Sequence, residues 1–151
     1  MTLQYEDIFS RFLSKITDYS FLEYDDGITR EKMVSWLRSA YSDSRIRKKF
    51  SVLLLNDEDA ELNFTLSHPT DEQFDKEFVT NLFATAMTVA WVEPQVKNVL
   101  LTMQLLTGGD EKFYAQSNHL AQLRQLLSDS KTDLKSILRD YGYIHNSYIG
   151  G

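Results

Sequence analysis

Cysteine is missing from all 151 residues, which excludes disulfide staples and thiolate-held metals and permits, without requiring, assembly in a reducing compartment. Histidine is scarce: His68, His119 and His145 lie far apart, and none has a second ligand at the three- or four-residue spacing of a metal site built on one helix. No metal and no other cofactor is therefore expected, and His119 reads as a hydrogen-bonding residue near a helix start. Positive charge is in deficit, 16 Lys and Arg against 22 Asp and Glu, and the net charge of −6 opposes non-specific coating of nucleic acid. The glycine pair Gly108-Gly109 lacks the Gly-Lys-Ser/Thr continuation of a phosphate-binding loop, and no dinucleotide-binding glycine fingerprint occurs. The first twenty residues carry Glu6, Asp7, Arg11 and Lys15 inside their apolar pattern, unlike a signal peptide, so synthesis and folding in the cytoplasm are expected. A membrane-length apolar run is absent too. The longest apolar segment, 70–109, is broken by Thr80, Asn81, Thr85, Thr88, Glu93, Gln95, Lys97 and Asn98, and neither of its helical halves would span a bilayer.

What remains has the size and makeup of one mainly α-helical domain able to bury a substantial core. Tyr5, Ile8, Phe9, Phe12, Leu13 and Ile16 follow helical spacing and predict an amphipathic first helix. Residues 17–29 contain the turn signal Asp25-Asp26-Gly27, with Tyr19, Phe21, Leu22 and Tyr24 as anchors for a packed loop. Thr29 is a suitable N-cap for a helix from Arg30 to about Lys48, with Met33, Trp36, Leu37, Ala40 and Tyr41 facing inward. Thr70 and Gln73 fit a capping box for a core helix in which Phe74, Phe78, Leu82, Phe83, Ala86, Val89 and Ala90 form one face. Val79, Met87, Trp91 and Val92 widen that face, which predicts neighbours on more than one side. Pro94 predicts a kink or restart near Val92 and Glu93, followed by a second helix closed by Gly108-Gly109. Ser117 or Asn118 is the expected cap of the last helix, which Gly142 would end. Its seam, Leu120, Leu123, Leu127, Ser130, Leu134, Ile137 and Tyr141, is close to a heptad pattern and suits either packing within the bundle or a neighbouring copy. The expected architecture is a bundle of about four to five helices over 1–142, with an extended C-terminal arm over 143–151.

Three stretches are candidates for contact with partners. Between Phe50 and Leu66 the pattern shifts to alternation, Leu62, Phe64 and Leu66 against Asn63 and Thr65, which fits a short hairpin or an irregular excursion that meets a partner subunit. Arg45, Arg47, Lys48 and Lys49 form the basic cluster, read either as a solvated helix end favoured by the helix dipole or as a contact with phosphates or an acidic partner. The tail holds Tyr143, Ile144, Tyr148 and Ile149, too many apolar side chains for a merely frayed end, and suits docking onto a partner. No catalytic constellation accompanies them. The acidic runs at 57–61 and 71–77 have the look of a solvated loop and a helix start.

Residues 83–106, with Ala90-Trp91-Val92-Glu93-Pro94-Gln95-Val96, and residues 113–124, reading Phe-Tyr-Ala-Gln-Ser-Asn-His-Leu-Ala-Gln-Leu-Arg, resemble small virion proteins of tailed bacteriophages. The order of helices is similar to that of their head-to-tail connector proteins, also called adaptor or neck proteins. The resemblance covers roughly the last two thirds of the chain and rests on packing and capping patterns. It implies a non-enzymatic helical bundle that assembles as a ring beneath the portal, commonly twelve-fold, with DNA passing through the centre without sequence-specific binding. The C-terminal arm that engages the portal would correspond to 143–151, and the part facing neighbouring copies or the next neck or tail protein to 50–66. The location implied is the virion neck, at the head-tail junction. Rival readings are another phage tail or neck component, a cytoplasmic helical protein-binding or regulatory module, and a small helical enzyme.

Overall fold

The computed structural model describes residues 1–17, 29–105 and 111–144. Among them are five helices and three strands: β1 (Thr2–Gln4), α1 (Tyr5–Thr17), α2 (Arg30–Tyr41), α3 (Ser44–Arg47), β2 (Phe50–Asn56), β3 (Glu61–Leu66), α4 (Glu72–Gln104) and α5 (Glu111–Ile144). The fold is mainly helical, as its periodicities imply, with a small antiparallel sheet in the order β1-β3-β2.

The centre of the molecule is α4. Between Val79 and Thr88 its side chains are buried on nearly every face, Asn81 alone excepted, because α1, α2 and α5 all pack against it. The breadth of apolar residues at 79–92 therefore corresponds to a helix covered all round. Phe12 of α1 meets Trp36 of α2 at 5.5 Å and Trp91 of α4 at 6.2 Å between ring centroids, tying three helices at one point. The sheet joins the same core through Phe50, which packs edge-on to Phe64 at 6.0 Å and against Phe83 at 6.1 Å. Burying each such ring is worth about 1.5–3 kcal/mol relative to leaving it in water.

Several boundaries differ from expectation, each for a local reason. Asp71, not Thr70, caps α4: its Oδ1 accepts from the Phe74 amide at 2.7 Å. The Thr70 amide instead donates to the carboxylate of Asp75, at 3.0 and 3.2 Å, which satisfies that buried acid. Phe74, expected inward, lies in the first turn of α4 and is 45% exposed. Pro94 does not divide α4, which runs unbroken from 72 to 104. An interior proline costs about 3 kcal/mol, and burial of Val92, Val96 and Val99 next to an exposed Pro94 outweighs it. Gln95 Nε2 adds a bond to the Trp91 carbonyl at 3.1 Å.

Thr29 caps α2 as expected, accepting from the Lys32 amide at 3.2 Å. The helix stops at Tyr41, however, because Asp43 accepts from the Arg45 amide at 2.8 Å and so begins the separate helix α3. The hairpin forms, and β1 is an addition: Thr2, Leu3 and Gln4 pair with Asn63, Leu62 and Glu61. Three residues are too few for alternation to announce a strand. The last helix starts at Glu111, before Ser117 and Asn118, and continues through Gly142 to Ile144, since one glycine costs a helix only about 1 kcal/mol. Tyr143 and Ile144 are thus helical in backbone, not part of an extended arm; 145–151 and the loop anchors Tyr19, Phe21, Leu22 and Tyr24 lie outside the described residues. Gly108-Gly109 also lies outside them, and α4 closes at Leu105. On α5, Leu120, Leu123, Leu126, Ser130, Leu134 and Leu138 are buried and Leu127 and Ile137 half-buried, so the seam from 120 to 138 faces α4 within one chain, while the Tyr141 side chain lies outside those described.

Candidate interaction surfaces

The hairpin is held to the helices by a polar clamp. Its turn, 57–60, carries Ala60 at φ 54°, a left-handed conformation costing a non-glycine residue roughly 1 kcal/mol. The Ala60 carbonyl accepts from the Tyr5 amide at 2.8 Å, and the Tyr5 hydroxyl donates to Asp57 Oδ1 at 2.7 Å. Arg38 of α2 reaches the other oxygen of the same carboxylate. Hydrogen bonds from Tyr5 and Arg38 hold Asp57 below the usual carboxylate range. Burial, together with the bond to Asp57, pushes the Tyr5 phenol well above its ordinary value, so it stays neutral. One turn is thereby joined to α1 and α2.

That clamp changes the standing of the excursion. Leu62, Phe64 and Leu66, expected to meet a partner subunit, are 0%, 1% and 2% exposed and belong to the core. The alternation is real, but its apolar face joins the core that α4 shares through Phe83, which supplies what an isolated hairpin lacks. The exposed apolar residues of the sheet are instead Val52 and Leu54 on β2.

The basic cluster is not the end of a long helix. Arg45 and Arg47 lie on α3, Lys48 is its C-cap, and Lys49 leads into β2. Arg45 chelates Asp43 through Nε and Nη2, at 3.3 and 3.0 Å. Although burial works against the Asp43 carboxylate, the side-chain and backbone bonds from Arg45 prevail and hold its pKa low. Arg47 lies over the Tyr41 ring at 4.9 Å, and Lys48 is exposed. Of the tail residues, Tyr143 and Ile144 close α5, while Tyr148 and Ile149 lie outside the described residues, so the two pairs are not brought together.

Two depressions were not anticipated by any motif. The first, about 920 Å³, opens between α1 and α4. Its walls mix signs, with Arg11 bound to Glu77 at 2.5 Å and Lys76 to Glu72 at 3.0 Å, so it selects for neither charge. The second, about 500 Å³, runs between the end of α2 and α5 over a floor on α4. Ala40, Ala86, Val89, Ala90 and Leu134 line it with small or apolar surface, and Arg45, Lys131 and Lys135 stand at its edges. Lys131 faces Glu93 at 3.6 Å, whereas Lys135 has no acidic partner among the described residues. Only helical packing joins these residues, which are spread from 39 to 135, and no sequence spacing could have flagged them.

Among the described residues, the far end of the α4–α5 pair carries exposed apolar side chains. Both helices exceed thirty residues, about 50 Å each at 1.5 Å per residue, whereas α1 and α2 are 13 and 12 residues long. Leu101, Leu105 and Tyr114 are exposed there, Leu105 at 86%. Among the described residues no group of three or more His, Asp or Glu could hold a metal ion, and no helix is long and apolar enough to cross a membrane. Comparison with family models, curated proteins and solved structures finds no match.

Proposed function

We propose that the chain is a non-enzymatic structural component of the tailed-phage neck, a connector that assembles as a ring between the portal and the next head-completion or tail protein. The observation that carries the reading is a core packed around α4 with exposed apolar side chains at its periphery: Leu101 and Leu105 on the long helical pair, and Val52 and Leu54 on the sheet. Such residues on otherwise well-packed elements fit contact with other subunits. The sequence resemblance of 83–106 and 113–124 points to the connector class. In this reading the bundle keeps each subunit stiff, the tail residues 143–151 dock on the portal, and the net charge of −6 keeps the channel from gripping DNA.

The test is to image the neck of purified virions and to delete 143–151. Density for the chain at the head-tail junction, and loss of portal binding by a truncated chain that still folds, are the expected results. Normal incorporation of the truncated chain would refute the tail's role. A monomer that binds another protein through α5 and ignores the portal would favour a helical regulatory module.

A further inference from the structure

We propose that the outer edge of β2 pairs antiparallel with β2 of a second copy, across a two-fold axis centred on Leu54, so that two small sheets become one. The contact goes beyond the connector reading and does not rest on it.

The hydrogen-bond phase of the sheet shows which backbone groups are left over. The Phe64 amide donates to the Met1 carbonyl and the Tyr5 amide to the Ala60 carbonyl, each at 2.8 Å, so Ala60, Leu62 and Phe64 turn their backbone groups toward β1. Antiparallel ladders alternate residue by residue, so Glu61, Asn63 and Thr65 turn theirs toward Asn56, Leu54 and Val52 of β2. Leu53 and Leu55, lying between those, direct amide and carbonyl out of the sheet, and among the described residues no backbone bond from another element meets them. Open edges are ordinarily blocked by charge, proline or brevity. At the other edge, β1 has three residues, with polar Thr2 and Gln4 exposed. The seven residues of β2 include neither a charge nor a proline, and Val52 and Leu54 are exposed on one face. Its bulge, between Phe50 and Val52, leaves 52–56 regular.

The occupant that fits this edge is the same strand. About a two-fold axis at Leu54, Leu53 faces Leu55 of the second copy, and each amide meets the other's carbonyl. Leu54 then lies opposite itself, apolar against apolar, and on a chain of net charge −6 this uncharged strip meets the least repulsion. The ends are complementary in charge. Exposed Lys48 precedes the strand and exposed Glu58 follows it, and neither has an ion-pair partner among the described residues. Antiparallel pairing brings Lys48 of one copy to Glu58 of the other at both ends, whereas parallel pairing would set like beside like. A patch that complements itself forms an isologous contact, which closes at two copies.

Because the chain has no cysteine, a single introduced thiol reports the register. Residues opposite one another in a non-hydrogen-bonded antiparallel pair have Cα atoms about 4.5 Å apart, within disulfide reach. Leu54→Cys should therefore crosslink to a dimer under mild oxidation, whereas Val52→Cys, about 13 Å or more from its own copy, should not. In sedimentation velocity across a concentration series, wild type should show a monomer–dimer equilibrium. Leu54→Lys, which sets like charges face to face at an exposed site, should weaken it about tenfold or more. Lys48→Glu and Glu58→Lys should each weaken it about threefold, and mixing these two variants should restore it, since every end then joins opposite charges. A wild-type chain that stays monomeric, equal crosslinking at 52 and 54, a folded Leu54→Lys chain that dimerises like wild type, or a charge-variant mixture that stays weak would overturn the proposal. Each of these results leaves the connector reading standing, because a two-fold contact cannot by itself build a ring. Absence of the chain from virions would sink that reading and not this one.

Discussion

Thr85 offers a sharp test of how the centre of α4 is built. It is 3% exposed, and its Oγ1 has no hydrogen-bond partner among the described residues. Other threonines on the helix return their hydroxyls to the carbonyl one turn back: Thr80 to Lys76 at 2.7 Å, Thr88 to Ala84 at 3.0 Å, and Thr102 to Asn98 at 3.0 Å. Thr85 does not. A hydroxyl buried without a partner costs about 1–3 kcal/mol of desolvation, and valine fills nearly the same space with similar helix propensity. Thr85→Val should therefore stabilise the fold by about 1 kcal/mol or more, raising Tm by about 2–4 °C per kcal/mol for a chain of this size. Urea denaturation followed by circular dichroism reads this as a higher midpoint at unchanged slope. Thr88→Val, which removes a hydrogen bond that is made, should be neutral or lose up to about 1 kcal/mol. Thr85→Ser keeps the unpaired hydroxyl, drops a buried methyl and should lose about 1 kcal/mol. The reasoning fails if Thr85→Val is no more stable than wild type. It fails equally if Thr88→Val gains as much, because added hydrophobicity alone would then explain both.

Two other perturbations test the clamp and the unbroken helix. Asp57 has a folded pKa below its unfolded value, so its contribution is present above the ordinary 3.8 and is lost as pH falls through the folded value. Tyr5 has a raised folded pKa, so its contribution is present below the ordinary 10.0 and is lost as pH rises toward the folded value. Tyr5→Phe should remove the alkaline loss and weaken the acid one, as read from unfolding midpoints across pH; unchanged profiles would show that the clamp carries no stability. Pro94→Ala restores the amide that α4 lacks opposite the Ala90 carbonyl and should stabilise by about 1–3 kcal/mol in the same denaturation assay. A loss would mean that the proline is matched to its packing.

Fold class and much of the local structure could be read from residue order, because local rules govern them. Helical spacing over Tyr5–Ile16 marked α1, the Thr29 hydroxyl sat where α2 needs a cap, and alternation around Leu62, Phe64 and Leu66 marked the hairpin. The width of the apolar face at 79–92 already required several neighbours for α4. Where the reading missed, a competing group lay nearby or far away in sequence. Asp71 outcompeted Thr70 as cap by one residue, and Phe74 in the first turn is exposed. Asp43 restarted the chain as α3, which holds Arg45 and Arg47 and leaves Lys48 and Lys49 beyond its end.

Residue order thus determined which segments are helical and which faces are apolar, since period and capping act over three or four neighbours. Only tertiary structure decided what those faces meet. It turned Leu62, Phe64 and Leu66 into the chain's own core, drew Tyr5, Arg38 and Asp57 into one clamp, and gathered residues 39–135 around a groove. Burial against a distant element depends on how whole helices and strands pack, and no local window of sequence contains that.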